Sequence, residues 1–288
     1  MVRRPRTPDP YAADIAGLDS LDVPVAPAPS LSRRAWSSVW PVLAAIALAL
    51  SAWQVVTWLN IKPDNALPGP VAVIGRLWED RGLLLEASLL TLRRAAVGYS
   101  LALLFGSAFG LAVSRSRVIR AAIGSLITGL QTMPTIAWFP LAILLLGPNE
   151  SAIQLVVVLS GAPAIASGLI NGVDHIPPLL LRAGHVLGAR GISAYRHVIL
   201  PAALPGFIGG LKQGWAFAWR GLMAGEIVVA IGERLSLGSQ LQAARDAGDA
   251  ERLIGGMIAI FLIGVLVDAF GFSRADAAIR RRWGLQAD

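Results

Sequence analysis

The sequence predicts an all-α polytopic membrane protein with six transmembrane helices. The first observation is composition: 55% of the 288 residues are hydrophobic and 15% are charged, against about 25% charged in soluble domains. The second is a mean hydropathy of +0.62. The third is length, because several nearly uncharged runs reach the ~20 residues that a helix needs to cross a bilayer. A transmembrane β-barrel would require repeated ~10-residue alternating segments, a pattern the sequence does not show.

Residues 1–35 carry Pro5, Pro8, Pro10, Pro24, Pro27 and Pro29 among scattered Asp and Arg. They cannot bury enough apolar surface to fold alone, so a disordered cytoplasmic tail is expected. Arg3-Arg4 resembles a twin-arginine signal, but no apolar region follows within the usual ~15–30 residues, which argues against a cleaved signal peptide. Residues 36–288 then form one transmembrane domain with a cytoplasmic loop at 173–204. The first span is expected over Trp40–Ile61, with Trp36 and Trp40 at one interface and Trp53 and Trp58 near the other, as an aromatic belt requires. Prolines bar a continuous helix at the start of Lys62–Glu86, and the rest reads as a short interfacial helix.

Span two covers Ala95–Val113, where Gly106-x-x-x-Gly110 offers a small-residue face for close helix packing. The basic stretch at 114–120 follows. Span three, Ala121–Leu146, is interrupted by Met133-Pro134 and Phe139-Pro140. Prolines free backbone carbonyls that must find other partners, so the span is either kinked or broken along a pathway, with Met133, Pro134 and Trp138 as candidate lining residues. Span four is expected over Ala152–Asn171, span five over Gly206–Ile231 and span six over Leu253–Phe272, ahead of a tail ending Arg280-Arg281-Arg282-Trp283.

With six spans and a cytoplasmic N-terminus, fifteen of the 25 Lys and Arg residues fall on the cytoplasmic side and eight on the outer side. The positive-inside rule therefore favours both termini in the cytoplasm. The same clustering at span ends accounts for the net charge of +7 without nucleic acid, whose single-strand binders interleave basic residues with stacking aromatics. Cysteine is absent, which excludes disulfides, Cys-ligated zinc and thiol catalysis. His175, His185 and His197 match no metal motif such as HExxH, so no metal site is expected. The phosphate-cradling pattern G-x-x-x-x-G-K-[ST] is also missing, and the two lysines, Lys62 and Lys212, follow no such loop. This chain is expected to be no enzyme and to hold no cofactor; any ATP and Mg would be bound by a partner.

Between spans four and five lies LLRAGHVLGARGISAYRHVILPAALP, residues 180–205. It resembles the signature loop of ABC-transporter permeases: E-A-A, three residues, G, nine residues, I, one residue, L-P. Ala183, Gly188, Leu200 and Pro201 fit, whereas Arg182 stands for the glutamate, Gly184 for the second alanine and Val198 for the isoleucine. The resemblance extends to ALPGPVAVIGRLWE (66–79), SLLTLRRAAVGYSLALLFGSAFGLAVSRS (88–116), QTMPTIAWFPLAILLLG (131–147) and AWRGLMAGEIV (218–228). Together these are similar to binding-protein-dependent type I importers of the nitrate/sulfonate/taurine/bicarbonate branch, most of all to aliphatic-sulfonate permeases.

The resemblance implies a bacterial cytoplasmic-membrane importer made of two permease copies, two cytoplasmic ATPase subunits docked on the loop, and an extracytoplasmic solute-binding protein. A coupling helix over about Leu179–Ile199, in which Gly188 would let the chain turn between two short helices, would carry ATPase motion into the membrane. The implied cargo is a small anion, an aliphatic sulfonate or taurine, with nitrate, bicarbonate or a thiamine precursor as alternatives. A secondary transporter would need coupling-ion sites and commonly shows inverted repeats, and a channel would need a filter ring; neither pattern is visible.

Four charges fall inside the expected spans, Lys212, Arg220, Glu226 and Asp268, and of these the last three stand out. Intramembrane charges are costly and face protein or water. Arg220 and Glu226 are six residues apart and so point about 120° from each other on a helix. One reading has Arg220 lend positive potential to an anion route while Glu226 holds helices in place; the other has both as structural partners of neighbouring helices. Asp268, near the cytoplasmic end of span six, reads as structural.

Overall fold

The computed structural model describes residues 31–59, 66–229 and 235–282; most of the expected tail and Trp283 lie outside them. The described residues contain helices and no strands. The chain divides into two compact units, the first ending at Val55.

The first unit contributes most of helix α1, Leu31–Trp58. The helix begins before position 36, while its apolar segment starts at Val39, beside the expected Trp40. No residue of its apolar segment Val39–Trp58 is buried.

The second unit carries the remaining elements. Helix α2, Pro70–Glu79, starts at its proline, where the missing N–H costs no hydrogen bond. Helix α3, Arg81–Ser114, is 34 residues long. It starts earlier than the apolar window because nothing between Arg81 and Ala95 breaks a helix, and at about 1.5 Å per residue it outruns the ~30 Å hydrocarbon core. The expected break in span three is present. Helix α4, Arg117–Thr132, stops at Met133-Pro134, and a 3₁₀ turn, Thr135–Trp138, leads into α5, Phe139–Leu146. The two arms are bent by 101°. Pro140 breaks nothing because it occupies the first turn of α5.

Helix α6, Glu150–Asp174, is capped by Asn149, whose side chain accepts from the N–H groups of Ser151 and Ala152, as an N-cap should. Next come α7, Pro178–Val186, a three-residue turn of helix α8, Ile192–Ala194, a π turn, Tyr195–Ile199, and α9, Leu200–Val228. Beyond residues 230–234 lie α10, Leu237–Asp246, α11, Ala250–Val267, a second π turn, Asp268–Phe272, and α12, Ser273–Arg282.

The core is α6 sandwiched between α3 and α9. Lipid offers helices no hydrophobic incentive to associate, so close backbone approach must supply the packing energy. The expected small-residue face does this on α3: a Cβ on Gly106 would lie 2.6 Å from the Ala162 carbonyl oxygen. On the other side of α6, Gly168 meets Gly210 of α9 so closely that a Cβ on Gly168 would fall 2.3 Å from the Gly210 Cα. Around these contacts Phe139, Ile153, Val157, Trp215 and Leu222 form the largest buried cluster.

Four helices are long and apolar enough to cross a membrane, and the bent α4–α5 pair makes five. The sixth expected span is α9. Its 29 residues exceed the ~20 required, but Lys212, Arg220 and Glu226 lower its apolarity. A central helix can carry such charges because much of it faces protein. At one end of the unit, Arg252 bonds Asp80 at 2.8 and 3.1 Å, tying α11 to the α2–α3 junction. Its guanidinium holds the Asp80 carboxyl below the usual carboxylate range.

Candidate functional site

The signature loop folds as two short arms. Pro178 opens α7, and Gly188 closes it with a backbone φ of +84°, a conformation open to glycine at little cost. The Gly188 N–H donates to the His185 carbonyl at 3.1 Å and the Ala189 N–H to the Gly184 carbonyl at 2.9 Å. This is the paired 5→2 and 6→1 termination of a Schellman motif. Gly191, with φ of +54°, turns the chain into the second arm. The segment over Leu179–Ile199 thus turns at Gly188–Gly191 between two short helical arms, as expected of Gly188.

Two of the signature departures meet: a Cβ on Gly184 would lie 2.8 Å from Val198 Cγ2. Glycine at 184 lets the arms close on a β-branched neighbour. Leu200 is partly exposed and Pro201 sits in the first turn of α9. The helix runs into Pro201 from upstream, so the proline removes a bond that the preceding turn would have accepted. The adjacent π turn, in which the Leu200 N–H donates to Tyr195 O, widens the helix there. Arg182 and Ala183 are exposed. So are Leu179, Val186, Leu187 and Ile192, each more than three-quarters, which makes the loop tip an apolar surface on a basic background.

Glu226 lies at the centre of a buried polar cluster. Its carboxylate accepts from Arg94 Nη1 at 3.0 Å, from the Gly238 N–H at 3.1 Å, and from Thr91 Oγ1, which lies 2.9 and 3.1 Å from its two oxygens. Thr91 in turn accepts from the Leu237 N–H at 3.1 Å. Arg94 Nε lies 3.0 Å from both oxygens of Glu150, and its Nη2 also contacts that carboxylate. Thr91, Arg94 and Glu226 are almost fully buried. The cluster ties α3, α6 and α9 to the first turn of α10, whose amide dipoles also favour an anion there. Arg94, Thr91, Glu150 and Gly238 were not expected in a site. The one available signal was that Glu226 needed a cation, with Arg94 at the start of a span.

Arg220 points elsewhere. It is exposed, its guanidinium carbon is 5.1 Å from the Phe217 ring centroid, and among the described residues no carboxylate pairs with it. It lines two cavities. One, of about 290 Å³, brings Arg220 together with Gln131, Met133, Pro134, Thr135 and Phe217 at the break in span three. The other, of about 970 Å³, runs between α9 and α11 past Lys212, Trp219, Arg220, Phe261 and Asp268. Lys212 and Asp268 pair across it at 3.0 Å. Trp138 lines neither cavity; it packs on the core cluster. Glu226 also lines neither. Among the described residues no group of His, Asp and Glu is arranged to hold a metal ion.

A bundle of helices long and apolar enough to cross a membrane, with a turned, apolar-tipped loop, is the architecture of a polytopic membrane protein. The chain belongs to the family of binding-protein-dependent transport system inner membrane components, whose model matches residues 102–283. The riboflavin transport system permease protein of Chloroflexus aurantiacus is 31% identical over 78% of this chain and 84% of its own. The taurine transport system permease protein of Escherichia coli is 27% identical over 83% and 86%. The nitrate import permease protein of Synechococcus elongatus is 26% identical over 85% and 93%. Among solved structures, an inward-facing methionine ABC transporter chain superposes with a TM-score of 0.59 at 21% identity, covering 69% of this chain and 97% of that one. The chain is thus an ABC importer permease subunit with the type I importer fold.

Proposed function

We propose that this chain imports a small anion, a sulfonate of the taurine kind, using ATP hydrolysed by a separate cytoplasmic subunit docked on the α7–α8 loop. The observation that carries the coupling role is the exposed apolar tip, Leu179, Val186, Leu187 and Ile192, displayed by the glycine turn at Gly188. ATP acts by favouring one conformation of the pair over the other, so the loop must transmit motion stiffly, and the Schellman closure supplies that stiffness. Two copies of the chain, two ATPase subunits and an extracytoplasmic binding protein complete the assembly, with both termini of the chain in the cytoplasm. Arg220, with Met133 and Pro134 across the smaller cavity, lines the route, and Glu226 acts by holding helices.

The anion reading rests on Arg220, and the taurine and nitrate relatives support it. A larger aromatic solute is the second reading, favoured by the riboflavin relative and by the stacked Trp215–Trp219 pair, both of which line the larger cavity. The test is ATPase activity of the reconstituted complex with its binding protein and taurine, methanesulfonate, nitrate or riboflavin in turn. Stimulation by a sulfonate is expected, and Gly188→Val should lower it at least tenfold while leaving the permease in the membrane. Stimulation by riboflavin alone would select the second reading.

A further inference from the structure

The larger cavity sets three charged side chains, Lys212, Arg220 and Asp268, into a mostly apolar lining. Helix α9 rises about 42 Å, with Lys212 about 18 Å and Arg220 about 30 Å from its start. However a ~30 Å hydrocarbon core is placed along that length, Lys212 falls within it. Yet the Lys212 side chain is 52% exposed and its partner Asp268 36%. Ionised groups at that depth face water or protein, not acyl chains.

A second copy of the chain satisfies this face only if it brings a further carboxylate to it. The lining holds two cations, Lys212 and Arg220, and one carboxylate, Asp268. A two-fold contact with its axis through this groove would bring the same charges to both sides and leave the excess positive charge unneutralised. The groove is otherwise lined by apolar side chains such as Trp215, Met257 and Phe261, and what matches its charged positions is a small mobile anion in water. Because the Lys212–Asp268 pair is half-exposed, it is also weak, and a passing anion can take the place of the carboxylate.

We propose that Lys212 is a second anion-binding station on the route that passes Arg220, with Asp268 as the resident counter-ion that a travelling sulfonate displaces. This rests on the anion-importer reading above. Arg220 then receives the anion and Lys212, eight residues along the same helix, takes it onward. Asp268, at the start of the π turn Asp268–Phe272, keeps the second station neutral when empty.

The chain's two lysines, Lys62 and Lys212, make a direct test possible. In the Lys62→Arg protein, Lys212 is the only lysine. The assembled transporter in phosphatidylcholine vesicles, in chloride-free buffer, is treated with a water-soluble amine-acylating reagent, and acylation at position 212 is read by mass spectrometry. Lys212 should react, and millimolar methanesulfonate should slow the reaction several-fold while mannitol does not. Asp268→Asn should lower the half-protecting methanesulfonate concentration about tenfold; were that variant not to assemble, protection in the Lys62→Arg protein alone decides. An unreactive Lys212, reactivity indifferent to methanesulfonate, or protection given only by phosphatidylglycerol in the vesicles would overturn the station. Protection retained in a complex that shows no ATP-driven uptake would overturn the importer reading and leave the station standing.

Discussion

Helix α9 carries charge on two faces that obey opposite rules. On one, Glu226 is sealed among Arg94, Thr91 and the α10 amides. On the other, Arg220 and Lys212 line open cavities, and the one visible carboxylate partner, Asp268, is itself partly exposed. Both groups lie on a helix expected to span the membrane, where an isolated ion is costly. The sealed face meets that cost with a full set of hydrogen bonds and so has nothing left to offer a ligand. The open face meets it with water and keeps unspent positive charge. The contrast teaches that an intramembrane charge is read by its partners rather than by its depth.

The largest effect should come from breaking the sealed face. Arg94→Ala leaves the Glu226 carboxylate buried without its cation, a change that costs about 3–5 kcal/mol in buried pairs. Loss of most folded protein from detergent extracts, followed by size-exclusion fluorescence, is the expected outcome. Replacing Arg94 and Glu226 together by Met should cost less than Arg94→Ala alone, because the carboxylate then left without its cation, Glu150, is half-exposed rather than buried. If the double replacement is the worse of the two, the cluster is more than a neutralised pair.

A smaller effect should follow from Gly238→Ala. The added Cβ would sit 2.4 Å from the Cβ of Glu226, so α10 must lift off the carboxylate, and overpacking of this kind costs about 1–3 kcal/mol. The charges stay in place, which separates steric fit from electrostatics. The melting temperature should fall by less than in Arg94→Ala. No change at all would mean that α10 is free to shift without straining the cluster.

Much of this was legible in the sequence because its signals are local. The break at Met133-Pro134, the turn at Gly188 and the close-packing face at Gly106 each follow from one residue's backbone chemistry or size. The partners of Glu226 were not legible, since Thr91 and Arg94 are more than 130 positions away and nothing in the local pattern states which helices meet. Helix α10 was missed for a related reason. Its start is marked by a capping box of Ser236 with Ser239, where the usual signature places Glu or Gln at the third position. Trp138 was a pathway candidate because it adjoins a broken helix; that it packs against the core cluster was not legible, since proximity in sequence to a break does not fix which side the side chain takes.

The smallest effect on stability should fall on the open face, and there the comparison is sharpest. Arg220 has no ion-pair partner among the described residues and stacks only on Phe217. Arg220→Gln therefore removes little that holds the fold together, and the melting temperature should move by no more than about 0.5 kcal/mol equivalent, as for surface sites without special contacts. Uptake is different: a cation that meets the anion on its way should raise KM for a sulfonate by about tenfold when it is neutralised, with Arg220→Lys recovering most of the loss. A protein that is destabilised as strongly as Arg94→Ala would place Arg220 with the structural charges, and an unchanged KM in a stable protein would remove it from the route. Only a stable fold with impaired anion uptake keeps the two faces of α9 as different in function as they are in geometry.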